Sequence, residues 1–139
     1  MTADIRIETP NGADMGAVVK QLVAYNASKT NGEVQDYLFI AARDEAGAIR
    51  GGLVGATYLG RLVVQAVSLD DSLRGQGLGT RIMKMAEDEA MRRGCPRVFL
   101  ETLSFQALPF YEKLGYVVHS ELDGFPIGGT RYALTKMLS

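Results

Sequence analysis

The sequence holds one cysteine, one histidine, four prolines and no tryptophan in 139 residues. Lone Cys95 excludes an internal disulfide framework and an all-cysteine zinc site. Lone His119 excludes a multi-histidine metal site, so no metal is expected. Charge excess is lacking as well: 15 Lys+Arg stand against 16 Asp+Glu, a formal net charge of −1. That balance argues against broad binding to a phosphate backbone, and no nucleic-acid partner is expected. Long apolar runs are also missing. The longest membrane candidate, 51–69, carries Arg61 at its centre and four glycines, which reads as two strands rather than a span. The opening Met1-Thr2-Ala3-Asp4-Ile5-Arg6 has no apolar stretch behind a basic start. A cytoplasmic chain with no membrane partner is the expectation.

What is present is ordinary for a globular protein: 47% hydrophobic and 22% charged residues. The length fits one domain, 1–139, that buries about two-thirds of its unfolded surface. Ile5 and Ile7 alternate with Arg6 and Glu8, the period of a half-buried strand, and Pro10-Asn11-Gly12 stops it. Asp14 is placed to cap a helix with Met15, Val18, Val19, Leu22 and Val23 on one face. A polar stretch over 26–36 follows, with Asn31-Gly32 as its strongest turn signal. Strands are predicted over 37–42, 49–58 and 62–69, with a hairpin turn at Asp44-Glu45-Ala46-Gly47. The run 62–67 is nearly all apolar, which predicts a central strand covered on both faces.

A glycine-rich turn, Arg74-Gly75-Gln76-Gly77-Leu78-Gly79, opens a long helix. Leu78, Ile82, Met85, Ala86 and Ala90 form its expected apolar stripe, and Gly94 and Pro96 stop it. The remaining elements are a strand over 98–102, a short helix over 107–114, and strands over 116–120 and 131–137 joined by the loop 123–129. Met83, Met85 and Met91 read as fillers of core or edge gaps, and Cys95 as a structural thiol.

Strand, alternating glycines, then helix is the sequence form of an anion site: glycines leave N–H groups unobstructed, and the helix dipole adds partial positive charge. Arg74 and Arg81 stand ready to add side-chain charge. A plain turn explains the same glycines equally well on spacing alone. Two other loops fail. A dinucleotide fingerprint needs Gly-x-Gly-x-x-Gly, but its last position is Thr80 or Ile82 in the two available registers, and no Gly-Lys-Ser/Thr tripeptide is present for a P-loop. An unrelated nucleotide-binding domain is thereby disfavoured.

Val67-Ser68-Leu69 followed by Arg74-x-x-Gly77-x-Gly79 resembles the coenzyme A signature (Arg/Gln-x-x-Gly-x-Gly/Ala) of the GNAT superfamily of acetyl-CoA-dependent N-acetyltransferases. Leu100-x-Thr102-x-Ser104-x-x-Ala107-x-x-Phe110-Tyr111-Glu112-Lys113-Leu114-Gly115-Tyr116 resembles that family's second block. The tail Pro126-x-Gly128-x-x-Arg131-Tyr132 is similar to a small bacterial subgroup of unassigned substrate. The resemblance implies an α/β chain with a mixed α+β, mostly antiparallel sheet, splayed between its fourth and fifth strands and flanked by helices. It implies acetyl-CoA as co-substrate and direct transfer of acetyl to a primary amine in a ternary complex, a small molecule being favoured over a protein as acceptor. A non-catalytic acetyl-CoA or coenzyme A sensor on the same fold is the alternative. Dimers are common among such proteins, so a homodimer is left open.

The roles follow the motif positions. The resemblance implies that main-chain N–H groups of Arg74, Gly75, Gln76, Gly77, Leu78, Gly79 and Thr80 hold the pyrophosphate. Val67, Ser68 and Leu69 would pair with the pantetheine and offer an N–H to the acetyl carbonyl; Ser104, Phe110 and Tyr111 complete the coenzyme site. Tyr111 matches the family's general acid, since a phenol of pKa about 10 stays protonated at neutral pH. Packing against the sheet is its structural alternative.

An alkylammonium has a pKa of about 10.4, so its proton needs an acceptor. Glu101 is the first candidate, on the strand facing the cleft; pairing with an arginine or facing solvent is the alternative. Glu33 and Asp36 are the other carboxylates considered. Gln65 cannot ionise, and His119 is placed at a strand end near the surface. The segments 26–36 and 123–129 would choose the acceptor, with Glu33, Asp36 and Asp123 able to attract a cation or simply be solvated. Two departures stand out. Ser104 replaces the family's usual Asn, though its hydroxyl can still cap the following helix, and Pro109 moves that helix's start toward Leu108.

Overall fold

The structure, a computed structural model, describes residues 2–139. Met1, the first residue of the segment inspected for an export signal, lies outside them. The chain divides into a unit reaching to Val34 and a unit Gln35–Ser139. In the first, α1 runs Gly12–Lys29, and Thr2 to Asn11 carry no secondary structure. The strand expected at Ile5–Ile7 is not formed. A strand exists only by pairing, and both isoleucines are exposed with no ladder among the described residues. Nor does Asp14 cap α1. Asn11 does, its Oδ1 accepting from the Asp14 N–H at 2.9 Å. The helix runs on through Asn26 to Lys29, and Asn31 and Gly32 at positive φ end it. None of its residues is buried.

The second unit is one six-stranded sheet: β1 Asp36–Arg43, β2 Ile49–Tyr58, β3 Arg61–Leu69, β4 Arg97–Leu103, β5 Val117–Asp123 and β6 Thr130–Met137, ordered β1-β2-β3-β4-β6-β5. All neighbours are antiparallel except β3 and β4, which a crossover through a 3-10 turn (Asp71–Leu73) and α2 (Leu78–Arg92) makes parallel. A short α3, Leu108–Lys113, links β4 to β5. It starts where Pro109 dictates, with the proline in its first turn, where a missing N–H costs no helical bond.

Helix α2 covers one face of the sheet with Ile82, Met83, Ala86 and Ala90, packed on Leu53, Leu62, Val98, Leu100 and Leu134. Met83, at 1% exposure, takes the place expected for Met85, which is exposed. At 100° per residue, 82, 83, 86, 87 and 90 form one arc and 85 falls outside it. The same arc buries Glu87. Its carboxylate accepts from the Tyr116 hydroxyl at 2.8 Å and from Lys136 Nζ at 3.1 Å, tying α2 to the sheet. Burial and that carboxylate hold the Tyr116 phenol well above its ordinary pKa. Glu87→Gln leaves a half-buried ammonium without its counter-charge, and a stability loss of about 1–3 kcal/mol is expected in urea unfolding.

The run 62–67 is central, but it is not covered on both faces. Leu62 and Val64 are buried, whereas Gln65 and Ala66 are exposed where β3 leaves its neighbour.

Candidate active site

The sheet splays between β3 and β4, the fourth and fifth strands when Ile5–Ile7 is counted as the first. Only Arg61, Leu62 and Val63 pair with β4, at Arg97, Val98 and Phe99. The cause lies on the other edge of β3. Val54 pairs with Ala66 and Gly55 with Val64, so Gln65 is an extra residue. Such a bulge bends its strand and reverses the inward-outward alternation beyond it. Leu62 and Val64 face the core before it, Val67 and Leu69 after it. Strand β4 meanwhile stays on β6 through Leu103. The diverging strands enclose a cleft of about 550 Å³, lined by 65–69, Arg74, Glu101, Thr102 and Tyr111 among others.

The glycine turn leaves β3 at the cleft's end. Gly75 and Gly77 adopt φ +78° and +74°, a region side chains beyond glycine rarely take. Gly77 is the N-cap of α2 and no side chain caps the helix. Among the described residues, the N–H groups of Gly75 through Thr80 meet no loop or side-chain acceptor. Arg74 differs: its N–H donates to the Asp71 carbonyl at 3.2 Å, and its guanidinium lies 3.3 Å from the Asp71 carboxylate. Of the seven amides implied by the motif, six are therefore open. Gly79 has another task. A Cβ there would stand 3.2 Å from the Phe110 ring, so its absence lets α2 approach α3. Phe110 is thus packed beside the turn and meets Tyr111 edge-on at 5.1 Å.

The opposite wall is built from Thr102 and Gln106. Thr102 Oγ1 accepts from the Ala107 N–H at 3.3 Å and lies 3.5 Å from Gln106 Oε1, which takes the Leu103 N–H at 2.7 Å. These contacts fix the turn that aims α3, and with it Tyr111, at the cleft. Thr102 stands inside the second motif block, which implies no task for it, and Gln106 fills an unspecified position of that block, so neither role has a signal in the sequence. Ser104 does not cap α3, whose N-cap Ala107 has no side-chain bond. Its hydroxyl accepts from the Thr130 N–H at 3.1 Å instead, joining the ends of β4 and β6.

Tyr111 is buried at 8% exposure, against Tyr116 as well as Phe110, and burial raises its phenol above the usual value. Glu101 is exposed within the cleft and, with Gln65 and Gln106, also lines a second cavity of about 360 Å³. The other acids lie elsewhere. Asp36 stands 3.6 Å from Arg93 at the start of β1, Asp123 takes the Thr130 hydroxyl at 3.1 Å, and Glu33 belongs to the N-terminal unit. His119 is exposed at the bulge in β5. Cys95 is buried and free. Among the described residues no cluster of three or more metal-binding side chains occurs, and no helix is long and apolar enough to cross a membrane.

Comparison with known proteins gives a consistent pattern. The profile of the Acetyltransferase (GNAT) family matches residues 15–116. Acetyltransferase Atu2258 of Agrobacterium fabrum is 37% identical over 100 residues, 72% of this chain and 73% of its own. Blasticidin-S acetyltransferase of Streptomyces morookaense is 38% identical over 95 residues, 68% of this chain and 70% of its own. The crystal structure of an Agrobacterium tumefaciens chain assigned to the acetyltransferases superposes with a TM-score of 0.90 at 30% identity, covering 99% of this chain and 100% of that one. Solved chains sharing the fold include complexes with coenzyme A.

Proposed function

The chain belongs to the Acetyltransferase (GNAT) family, whose co-substrate is acetyl-CoA, and we propose that it transfers the acetyl group directly to the primary amine of a small molecule in a ternary complex. The observation carrying this reading is the splay. It leaves one strand edge open beside a buried phenol in one cleft, and the turn of unengaged amides follows directly on Arg74 in that cleft's wall. The reading treats 1–139 as a single acetyltransferase domain, supported by a family match that runs from one unit into the other. Blasticidin-S acetyltransferase, by its name, acts on a small molecule, which supports that acceptor class here.

The residues take these roles. N–H groups of Gly75 to Thr80 bind the pyrophosphate, an anion at a helix N-terminus. Phe110 holds the turn against α3, and Ser104 fixes the β4–β6 junction through Thr130. Val67, Ser68 and Leu69 pair through the main chain with the pantetheine, and an N–H from this edge donates to the acetyl oxygen as it gains negative charge. Glu101 accepts one proton from the substrate ammonium, directly or through water. The freed amine nitrogen attacks the thioester carbon; the C–N bond forms, the C–S bond breaks, and Tyr111 donates to the departing sulphur. The nitrogen's surplus proton and the one taken by Glu101 leave to solvent, the thiolate hydrogen-bonded by Tyr111 takes one up from solvent, and the products are an N-acetyl amine and free thiol.

The test is thiol release from acetyl-CoA across a panel of amines, alongside a thermal shift with acetyl-CoA, NAD and ATP. A shift with acetyl-CoA alone and thiol release with at least one amine is expected. A shift without turnover over a wide panel would replace the enzyme by a coenzyme A sensor. Glu101→Gln is expected to lower kcat/KM about ten-fold at pH 7, a modest case of lost base catalysis. The deficit shrinks as pH rises toward the amine's own pKa of about 10.4, since solvent then supplies free amine. A pH–rate series on both proteins checks this, and parallel profiles would remove Glu101 as base.

A further inference from the structure

The second cavity holds a cation that pairs with no carboxylate among the described residues. Arg131 lines it beside Glu101, Gln65 and Gln106, the residues it shares with the cleft. In the β4–β6 register Arg131 stands opposite Leu103 and Glu101 opposite Ala133. Directly opposed residues share a sheet face and alternate residues along a strand do too, so Arg131 and Glu101 are diagonal neighbours on one face. Among the described residues they form no ion pair, and no carboxylate lies within 4.0 Å of the Arg131 guanidinium. The guanidinium instead lies 4.0 Å from the centre of the Phe125 ring. Its Nε is buried and is the one buried side-chain polar atom among the described residues without a hydrogen-bond partner.

A guanidinium stays charged at any working pH, and a buried donor left unpaired is costly. Here the aromatic ring fixes the guanidinium plane and so preorganises the fork, which matches a carboxylate or phosphate in two parallel bonds. The carboxylate lining the same cavity, Glu101, is the group expected to receive an ammonium. One cavity therefore presents an anion and a cation on a diagonal of about 7–8 Å between backbone positions, not neutralising each other. That is the complement of a small molecule carrying the opposite charges.

We propose that Arg131 binds an oxyanion on the acceptor, so that the substrate class is a small primary amine bearing a carboxylate or phosphate a few bonds from its nitrogen. The amine half of this assignment rests on the acetyl-transfer reading; the oxyanion half rests on Arg131 alone. The loop 124–129, which carries Phe125 and no acid of its own, acts on specificity through this stacked guanidinium.

The test uses the coenzyme A-saturated protein, where no turnover occurs, and titrates it calorimetrically with matched pairs. Glycine, β-alanine and 4-aminobutyrate are each compared with their carboxamides, and O-phosphoethanolamine with ethanolamine. At least one acid is expected to bind ten-fold or more tightly than its neutral partner, and the pair that does so separates carboxylate from phosphate. Arg131→Gln brings that ratio to about one with coenzyme affinity unchanged. Arg131→Lys, which keeps charge and fold but loses the fork, reduces it several-fold should the Gln variant not fold. Equal binding within every pair, or a preference that survives Arg131→Gln, overturns the oxyanion site. Thiol release with acetyl-CoA then separates the two readings. Turnover equal for acids and amides leaves acetyl transfer standing and removes the site. An Arg131-dependent preference with no thiol release leaves the site and removes acetyl transfer.

Discussion

Tyr111→Phe is expected to lower kcat about 10²-fold at pH 7 while leaving acetyl-CoA affinity and unfolding stability nearly unchanged. The ring's packing against Phe110 and Tyr116 survives the change, since only the hydroxyl is lost. Among the described residues that hydroxyl donates to no protein group, so its removal breaks no structural bond. What is lost is the donor to the departing sulphur. Burial raises the phenol's pKa, which keeps the proton on it across the neutral range and makes it an acid rather than a base. The same shift makes proton transfer to a thiolate of pKa about 8.5 uphill. The gain is therefore hydrogen-bond stabilisation of the developing charge, which places the effect at the lower end of the usual 10²–10⁴ of acid catalysis. Single-turnover kinetics with a saturating amine, paired with calorimetry on acetyl-CoA, checks it. A kcat within two-fold of the parent under chemistry-limited conditions would take Tyr111 out of the reaction.

The sheet strands of the second unit, the crossover helix and the stop signals at Gly94 and Pro96 are legible because each has a local cause: alternation, an apolar arc, a glycine past the last turn. The helix–strand order around Gly77 and Tyr111 is legible because the motif fixes those positions together. The rest depends on pairing that no window reveals. Gln65 is one residue too many only relative to β2, so neither the bulge nor the exposure of Ala66 can be read from β3 itself. Glu87 looks like a solvent-facing acid until Tyr116 and Lys136, far along the chain, arrive beside it. Ile5 and Ile7 carry a strand's alternation, yet no strand among the described residues pairs with them. Ser104 shows the same limit at the site. Its motif position suggests a cap, yet its hydroxyl is taken by Thr130 across the β4–β6 junction. Arg131 shows the converse. The motif marks it, but only the register with Leu103 puts it on the face of Glu101.

Gly77→Val is expected to weaken acetyl-CoA binding about 10²-fold. Nothing lies within 4 Å of the space a Cβ would occupy, so the Cβ itself meets no clash. Its effect comes through the backbone: φ +74° is a genuine outlier for a β-branched residue and costs about 1–3 kcal/mol. The chain relaxes by turning Gly77 toward negative φ, which rotates the peptide planes on either side and swings the N–H groups of Gly77 and Leu78 out of convergence. Each N–H bonded to a phosphate contributes about 1.5–3 kcal/mol, so losing one or two gives the stated factor. Helix α2 itself should persist, since its sheet-facing arc from Ile82 to Ala90 is four residues or more beyond the strained turn. The signature is thus a large rise in the Kd for acetyl-CoA, an equal rise for coenzyme A, and little change for a pantetheine fragment lacking the diphosphate. Calorimetry on the three ligands separates these. Normal affinity for all three in a folded Gly77→Val protein would move the diphosphate away from the start of α2 and with it the orientation of the thioester.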